Sequence, residues 1–136
     1  MAGSIFLMNP FIAGSASEEH TNASYLIRGE AQYSDFKKFE VSPANDNCLV
    51  IEFSYENDLL LLSDVIPVLD LKEKPRLLIT FFTSRHQKSN RIRRLKNGNS
   101  LVSVDCSEVR ISDLQGGIFY RDQSGLHKLK LATHNP

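Results

Sequence analysis

Apolar and polar positions alternate most regularly along 48-CLVIEFSY-55, where Leu49, Ile51, Phe53 and Tyr55 are interleaved with Val50, Glu52 and Ser54. A period of two places the first set on one face of a strand and leaves a mixed face opposite. Behind Pro75, 76-RLLITFFT-83 is an unbroken β-branched and aromatic run, which predicts a strand buried on both faces. Residues 117-GIFYR-121 and 126-LHKLKLA-132 flank Asp122-Gln123-Ser124-Gly125. That is a hairpin pattern, with Gly125 available for a positive-φ position. In 100-SLVSVDCSEVRIS-112 the apolar set changes parity, from Val102, Val104 and Cys106 to Val109 and Ile111. A bulge or sharp bend near Ser107-Glu108 is needed to keep both sets inside.

Other segments are less regular. Residues 23–31 read as a strand. In 33-YSDFKKFE-40, Phe36 and Phe39 lie three apart, as on a short helix that Ser34 would cap. Pro43 then breaks the chain, and 44-ANDN-47 reads as a turn. After Asn57-Asp58, the run LLLLSDVI reads as a short helix stopped by Pro67, with a buried strand as the competing assignment. The tally is six to eight strands and one or two short helices, joined by turns rather than by helical crossovers. The expected fold is therefore mostly β (a β-rich α+β class): a single antiparallel barrel or sandwich with one or two short helices.

At 136 residues the chain fits a single domain, 1–136, and is long enough to bury a core without metal or disulfide staples. Residues 1–17 carry no charge and form an N-terminal arm or first strand built on Ile5, Phe6, Leu7, Phe11 and Ile12. Left unburied, that arm is a contact for a homo-oligomer. No Lys or Arg precedes Ile5, and Asn9-Pro10 interrupts the apolar run, which argues against a signal peptide. Secretion, under which Asn22-Ala23-Ser24 would be a glycosylation sequon, is the lesser alternative to the cytoplasm. Cys48 and Cys106 form no CxxC and read as reduced thiols rather than a disulfide.

The formal charge is zero, but its distribution is uneven. Residues 35–73 carry a net −6, and residues 74–96 carry +8 with no acid at all. The stretch 85-RHQKSNRIRRLKNGN-99 holds most of that positive pole. Two local structures fit it. Ser89 or Asn90 caps a short helix over 91–96, or Asn97-Gly98 is a type I′ turn pairing 91-RIRRLK-96 with 99-NSLVSV-104. The hairpin is the reading adopted. Either way several guanidinium groups are crowded together, at a cost unless anions or the acidic 35–73 segment answer them. Arg85, His86, Lys88, Arg91, Arg93, Arg94 and Lys96 are thus the candidate binding residues, with an anionic macromolecule as partner. That partner is nucleic acid or an acidic protein surface; no aromatic residue within the stretch offers a base a place to stack.

No phosphate-loop, dinucleotide, nucleophile-elbow or zinc-protease motif occurs, and no catalytic residue, metal ligand set or cofactor is assigned. His20, His86, His127 and His134 are scattered, and His127 shares strand parity with Leu129 and Leu131, as a half-buried structural histidine would. The acids Asp58, Asp64, Asp70 and Glu73 match no calcium loop. The segment 111-ISDLQGGIFY-120 resembles in outline the Asp-x-Ser-x-x-Gly segment of PilZ domains, barrels that bind cyclic di-GMP with an upstream arginine motif. Aligned on Gly116-Gly117, however, Ser112 stands at the Asp position and Leu114 at the Ser position, and no two arginines between 85 and 94 have Arg-x-x-x-Arg spacing. A strand–Gly-Gly–strand connection is the reading preferred. The leading expectation is a non-enzymatic binding module acting through residues 85–96. The alternatives are an assembly subunit joined through sheet edges and the arm, and a small-nucleotide binder or phosphodiesterase with His86 as acid or base.

Overall fold

The computed structural model describes residues 6–7 (as backbone), 29–57 and 59–132. The expectations for Ile5, Phe11, Ile12, His20, Asn22, residues 23–28, Asp58 and His134 lie outside the described residues. The strands are β1 (Phe6–Leu7), β2 (Gly29–Glu30), β3 (Phe36–Asn45), β4 (Cys48–Tyr55), β5 (Leu61–Asp70), β6 (Arg76–Ser84), β7 (Arg93–Arg94), β8 (Ser100–Asp105), β9 (Gly117–Asp122) and β10 (Gly125–Leu129). In place of the short helices there are single 3-10 turns at Tyr33–Asp35 and Ile111–Asp113. One sheet has the order β1-β5-β6-β9-β10, with β2 also on β6, and the other has the order β3-β4-β8-β7.

The chain is mostly β and sandwich-like, with largely antiparallel sheets. Among the described strands, β1 on β5 and β9 on β6 pair in parallel. The second arises because the chain leaves β6, builds β7 and β8 in the other sheet, and then returns. The sheets are joined at both sides. Leu131 bridges to Val41, and Ala132 N–H donates to the Val41 carbonyl at 2.7 Å. Across the molecule, Ser89 N–H donates to the Leu62 carbonyl at 2.9 Å.

Several local expectations are corrected. Phe36 and Phe39 belong to β3, not to a helix. Lys37 is an extra residue in the register, since Phe36 pairs with Tyr55 and Lys38 with Ser54. The bulge restores parity, so side chains three apart both point inward. Pro43 does not break the chain; β3 continues to Asn45, and the turn is Asp46-Asn47. The leucine run opens a strand, since Leu61 and Leu62 begin β5, which finds nine register partners on β6. Pro67 is held within β5 opposite Ile79, and the described residues of β1 pair with Val68 and Leu69 beyond it. The Asn57 carboxamide does accept N–H bonds, from Leu59 at 2.9 Å and Leu60 at 3.1 Å, but that turn leads into the strand. As the parity change required, the chain bends after Cys106, with Val109 N–H donating to the Cys106 carbonyl at 3.0 Å.

The Gly-Gly connection is dictated by space. A Cβ on Gly116 would lie 2.7 Å from the Lys74 carbonyl oxygen and 3.0 Å from that of Pro75, while Gly117 has φ +96°. Strand β9 can enter beside β6 only because the chain there has no side chain.

Between the sheets the filling is aromatic. Phe36 packs on Phe39 and Tyr55 at 5.0 Å each and on Phe81 at 5.3 Å. Tyr120 joins the group from β9 and is fully buried. Its hydroxyl stands in the ladder of β6. Phe81 N–H donates to it at 3.2 Å, and it donates to the Ala31 carbonyl. The next rung is direct, Ala31 N–H to the Phe81 carbonyl at 2.8 Å. Tyr120→Phe should keep the fold but leave the Phe81 N–H and Ala31 C=O unpaired in the core. The expected cost is about 1–3 kcal/mol, read as a lower urea midpoint at unchanged slope.

Candidate functional site

The basic stretch is ordered by its own short polar residues. Ser84 Oγ accepts from the N–H groups of His86 (3.1 Å) and Gln87 (3.2 Å), and Ser89 Oγ accepts from Arg91 N–H (3.1 Å). With Ser89 held on Leu62, residues 85–92 cross from one sheet to the other as a fixed strap. A hairpin follows, pairing Arg93 with Leu101 and Arg94 with Ser100. Its turn is not type I′, which needs positive φ at both central residues. Among described residues no non-glycine has positive φ; Gly98, at +92°, does. Gly98 N–H donates to the Leu95 carbonyl at 3.0 Å and Leu95 N–H to the Asn99 carbonyl at 2.8 Å, so the loop is Lys96-Asn97-Gly98. Glu52 holds this tip, accepting from Asn97 Nδ2 at 3.2 Å and Asn99 Nδ2 at 2.9 Å. Those bonds, led by Asn99, hold its carboxyl below the usual range against partial burial.

The seven candidate residues are not one cluster. Arg91 is engaged within the fold, 3.5 Å from Asp64 and donating to the Ser103 carbonyl at 3.1 Å. Arg93 pairs with Leu101, itself opposite Glu52, so it lies on the outer face of the sheet. Arg94 pairs with Ser100, which is opposite Phe53, and so lies on the inward face at the open end of the sandwich. Arg85 and His86 stay at the end of β6, and Lys96 is on the hairpin tip. Lys88 and Arg94 are brought together; the others are not.

The acidic segment answers little of the positive pole. Apart from Asp64 on Arg91, its carboxylates pair outside the 85–96 stretch: Glu56 with Lys37 at 2.7 Å, Glu52 with Lys38 at 3.4 Å, Asp46 with Arg110 at 3.3 Å, and Asp70 at 2.7 Å with Arg76, at the start of the positive pole. Among the described residues, Arg91 alone of the six Lys and Arg in 85–96 reaches a carboxylate.

Lys88 and Arg94 flank a cleft of about 210 Å³ that periodicity did not disclose. Phe53, Leu62 and Ile92 line it from the core side, with Tyr55, Asn57, Leu60, Leu61 and Ser100 around them. Burial, with the nearby Asp35 carboxylate, pushes the Tyr55 phenol up, so it faces the cleft as a neutral hydroxyl. No described lining residue is acidic. Beside the cleft, Leu59 is 79% exposed and Leu61 40%. The signal for this was the leucine run itself: Leu61 and Leu62 open β5 as neighbours and so point to opposite sides.

A second polar group is architectural. Asp122, buried, accepts from Tyr33 N–H at 2.7 Å and from Ser124 Oγ at 2.7 Å, and lies 3.0 Å from His127 Nε2. Ser124 Oγ also lies 3.0 Å from that same nitrogen. A serine–histidine–aspartate relay uses both ring nitrogens, and convergence on one forbids it. The trio closes the β9–β10 turn and ties it to the Tyr33 segment, whose ring stacks on His127 at 4.9 Å. His127 is half-buried and bonded, as its parity suggested. Of the thiols, Cys106 is buried and Cys48 half-buried, and both are free. Burial foremost pushes Cys106 up to about 12, which makes it inert at neutral pH. Among the described residues no three His, Cys, Asp or Glu could hold a metal ion, and no helix is long and apolar enough to cross a membrane.

Comparison of the chain with family models, curated proteins and solved structures gave no match.

Burial alone would raise the Asp122 pKa, but the Tyr33, Ser124 and His127 bonds outweigh it and hold it well below the usual carboxylate range. A depressed folded value contributes stability above the unfolded pKa of about 3.9, and this is lost as pH falls below it. Asp122→Asn should therefore be less stable than the parent by about 2 kcal/mol at pH 7. The difference should shrink below pH ~4, where the parent itself protonates. Paired urea titrations at neutral and acid pH check both the size and the convergence.

Proposed function

We propose that the protein is a non-enzymatic binding module whose basic strap and hairpin, residues 85–96, contact an anionic macromolecule. One observation carries this reading: among the described residues, five of the six Lys and Arg in the segment have no carboxylate partner in the fold. Lys88 and Arg94, which flank one cleft with no described carboxylate on its lining, repel one another unless an outside anion compensates. The order of the frame adds to the argument, because a strap fixed at Ser84, Leu62 and Glu52 presents its cations with little entropy left to lose on binding. Two free thiols suit a reducing compartment, the cytoplasm.

The test reverses charge where the fold makes no use of it. Arg85→Glu, Arg93→Glu and Lys96→Glu together spare Arg91, which the fold engages. Fluorescence anisotropy with labelled poly-L-glutamate and with a short DNA duplex should show salt-sensitive binding of at least one probe by the parent. The triple variant should bind about tenfold more weakly or worse, with its thermal midpoint retained. Equal binding by parent and variant, or no binding of either probe at low salt, defeats the proposal.

A further inference from the structure

The cleft between the strap and the start of β5 narrows the choice of partner. Its volume, about 210 Å³, is below the range of roughly 300–1,000 Å³ usual for small-molecule sites and is of the order of one large side chain. Its inner wall is apolar, through Phe53, Leu62 and Ile92. The exposed leucines, Leu59 and Leu61, extend that apolar character onto the open surface. Lys88 and Arg94 are the described ionisable cations on its lining, and no described carboxylate opposes them there. A phosphate backbone would satisfy the cations but would leave the leucines in water, and the two rings on the lining are engaged in the core, Phe53 being buried and Tyr55 packed on Phe36. A protein segment satisfies both: one side chain fills the cavity while neighbouring carboxylates meet the cations.

We infer that the cleft is the anchor site for an acidic segment of a partner protein, which inserts one Leu, Ile, Met or Phe side chain between Lys88 and Arg94 with Asp or Glu on either side of it. The inference rests on the anion-contact reading above and gives it a partner of defined chemistry. In this arrangement the cavity sets which residue anchors, and Arg94 and Lys88 set the charge around it. Arg94 already donates to the Gly98 carbonyl at 3.1 Å, so its guanidinium is partly oriented before a ligand arrives.

Selection from a random twelve-residue peptide phage library on the immobilised full chain supplies the probe. The expected consensus is a single large apolar residue with acidic residues within a few positions on both sides. Labelled peptides from that selection should lose about tenfold or more in affinity when the anchor is changed to Ala. They should lose as much when Ser100→Trp fills the cleft without altering charge. Leu61→Glu, on the exposed rim, repeats the test without touching the core. Circular dichroism and thermal melts confirm that both variants are folded. A selection without an acidic–apolar consensus overturns the inference, as do selected peptides that bind both variants undiminished. Duplex DNA bound equally by the parent and Ser100→Trp, with no peptide selected, also overturns it but leaves the anion-contact surface standing. Loss of peptide binding in the triple charge-reversal variant, with none in Ser100→Trp, does the same. If neither kind of variant weakens any probe, both readings fall.

Discussion

The hydroxyl of Tyr120 occupies the place of a backbone rung between Phe81 and Ala31. Strand β6 has two neighbours along one edge, β9 over Arg76–Ile79 and β2 at Phe82 and Thr83, and the hydroxyl sits where one gives way to the other. A buried N–H and C=O that meet no partner cost more than most side-chain contacts contribute. The same residue supplies a ring to the aromatic filling between the sheets. Backbone continuity in one sheet and packing against the other are therefore carried by a single side chain.

From that filling the position of the cleft follows. Phe36, Phe39, Phe53, Phe81 and Tyr120 fill the middle of the sandwich, aided by the bulge at Lys37 that turns two phenylalanines inward. At the end of β4 and the start of β8, Tyr55 is the last ring of this filling and Ser100 beside it is small. The cleft is thus the unfilled end of the sandwich, walled by Phe53 and Leu62 and edged by whatever the strap carries. The strap carries cations. Apolar depth and positive rim come from two sequence segments that only the fold makes neighbours.

How much of this was legible depended on the type of signal. The strands at 48–55 and 76–83, the hairpin around Gln123-Ser124 and the bend after Cys106 could be read, because period-two patterning and turn residues are local. Phe36 and Phe39 misled because a bulge and a helix give the same three-residue spacing. The leucine run misled because a capping residue before apolar residues fits an Asx turn as well as a helix start. The basic residues could be named from charge alone, but their division could not. Arg93 and Arg94 are adjacent in sequence and fall on opposite faces, a distinction set by pairing register across three strands. The cleft was invisible for the same reason: Leu62, Ile92 and Ser100 converge only through tertiary pairing.

Gly116 offers a different kind of consequence. Any side chain there would collide with the carbonyls of Lys74 and Pro75, so no amino acid but glycine fits without moving β9 away from β6. Selection acting on this architecture has no latitude at that point, whatever the molecule binds. The strap and the leucine rim, by contrast, are exposed and free to drift as a partner's sequence drifts. Descendants of a common ancestor would then keep the glycine and diverge in the binding surface. Ancestry would be written in the Gly-Gly connection, and the history of the interaction in residues 85–96.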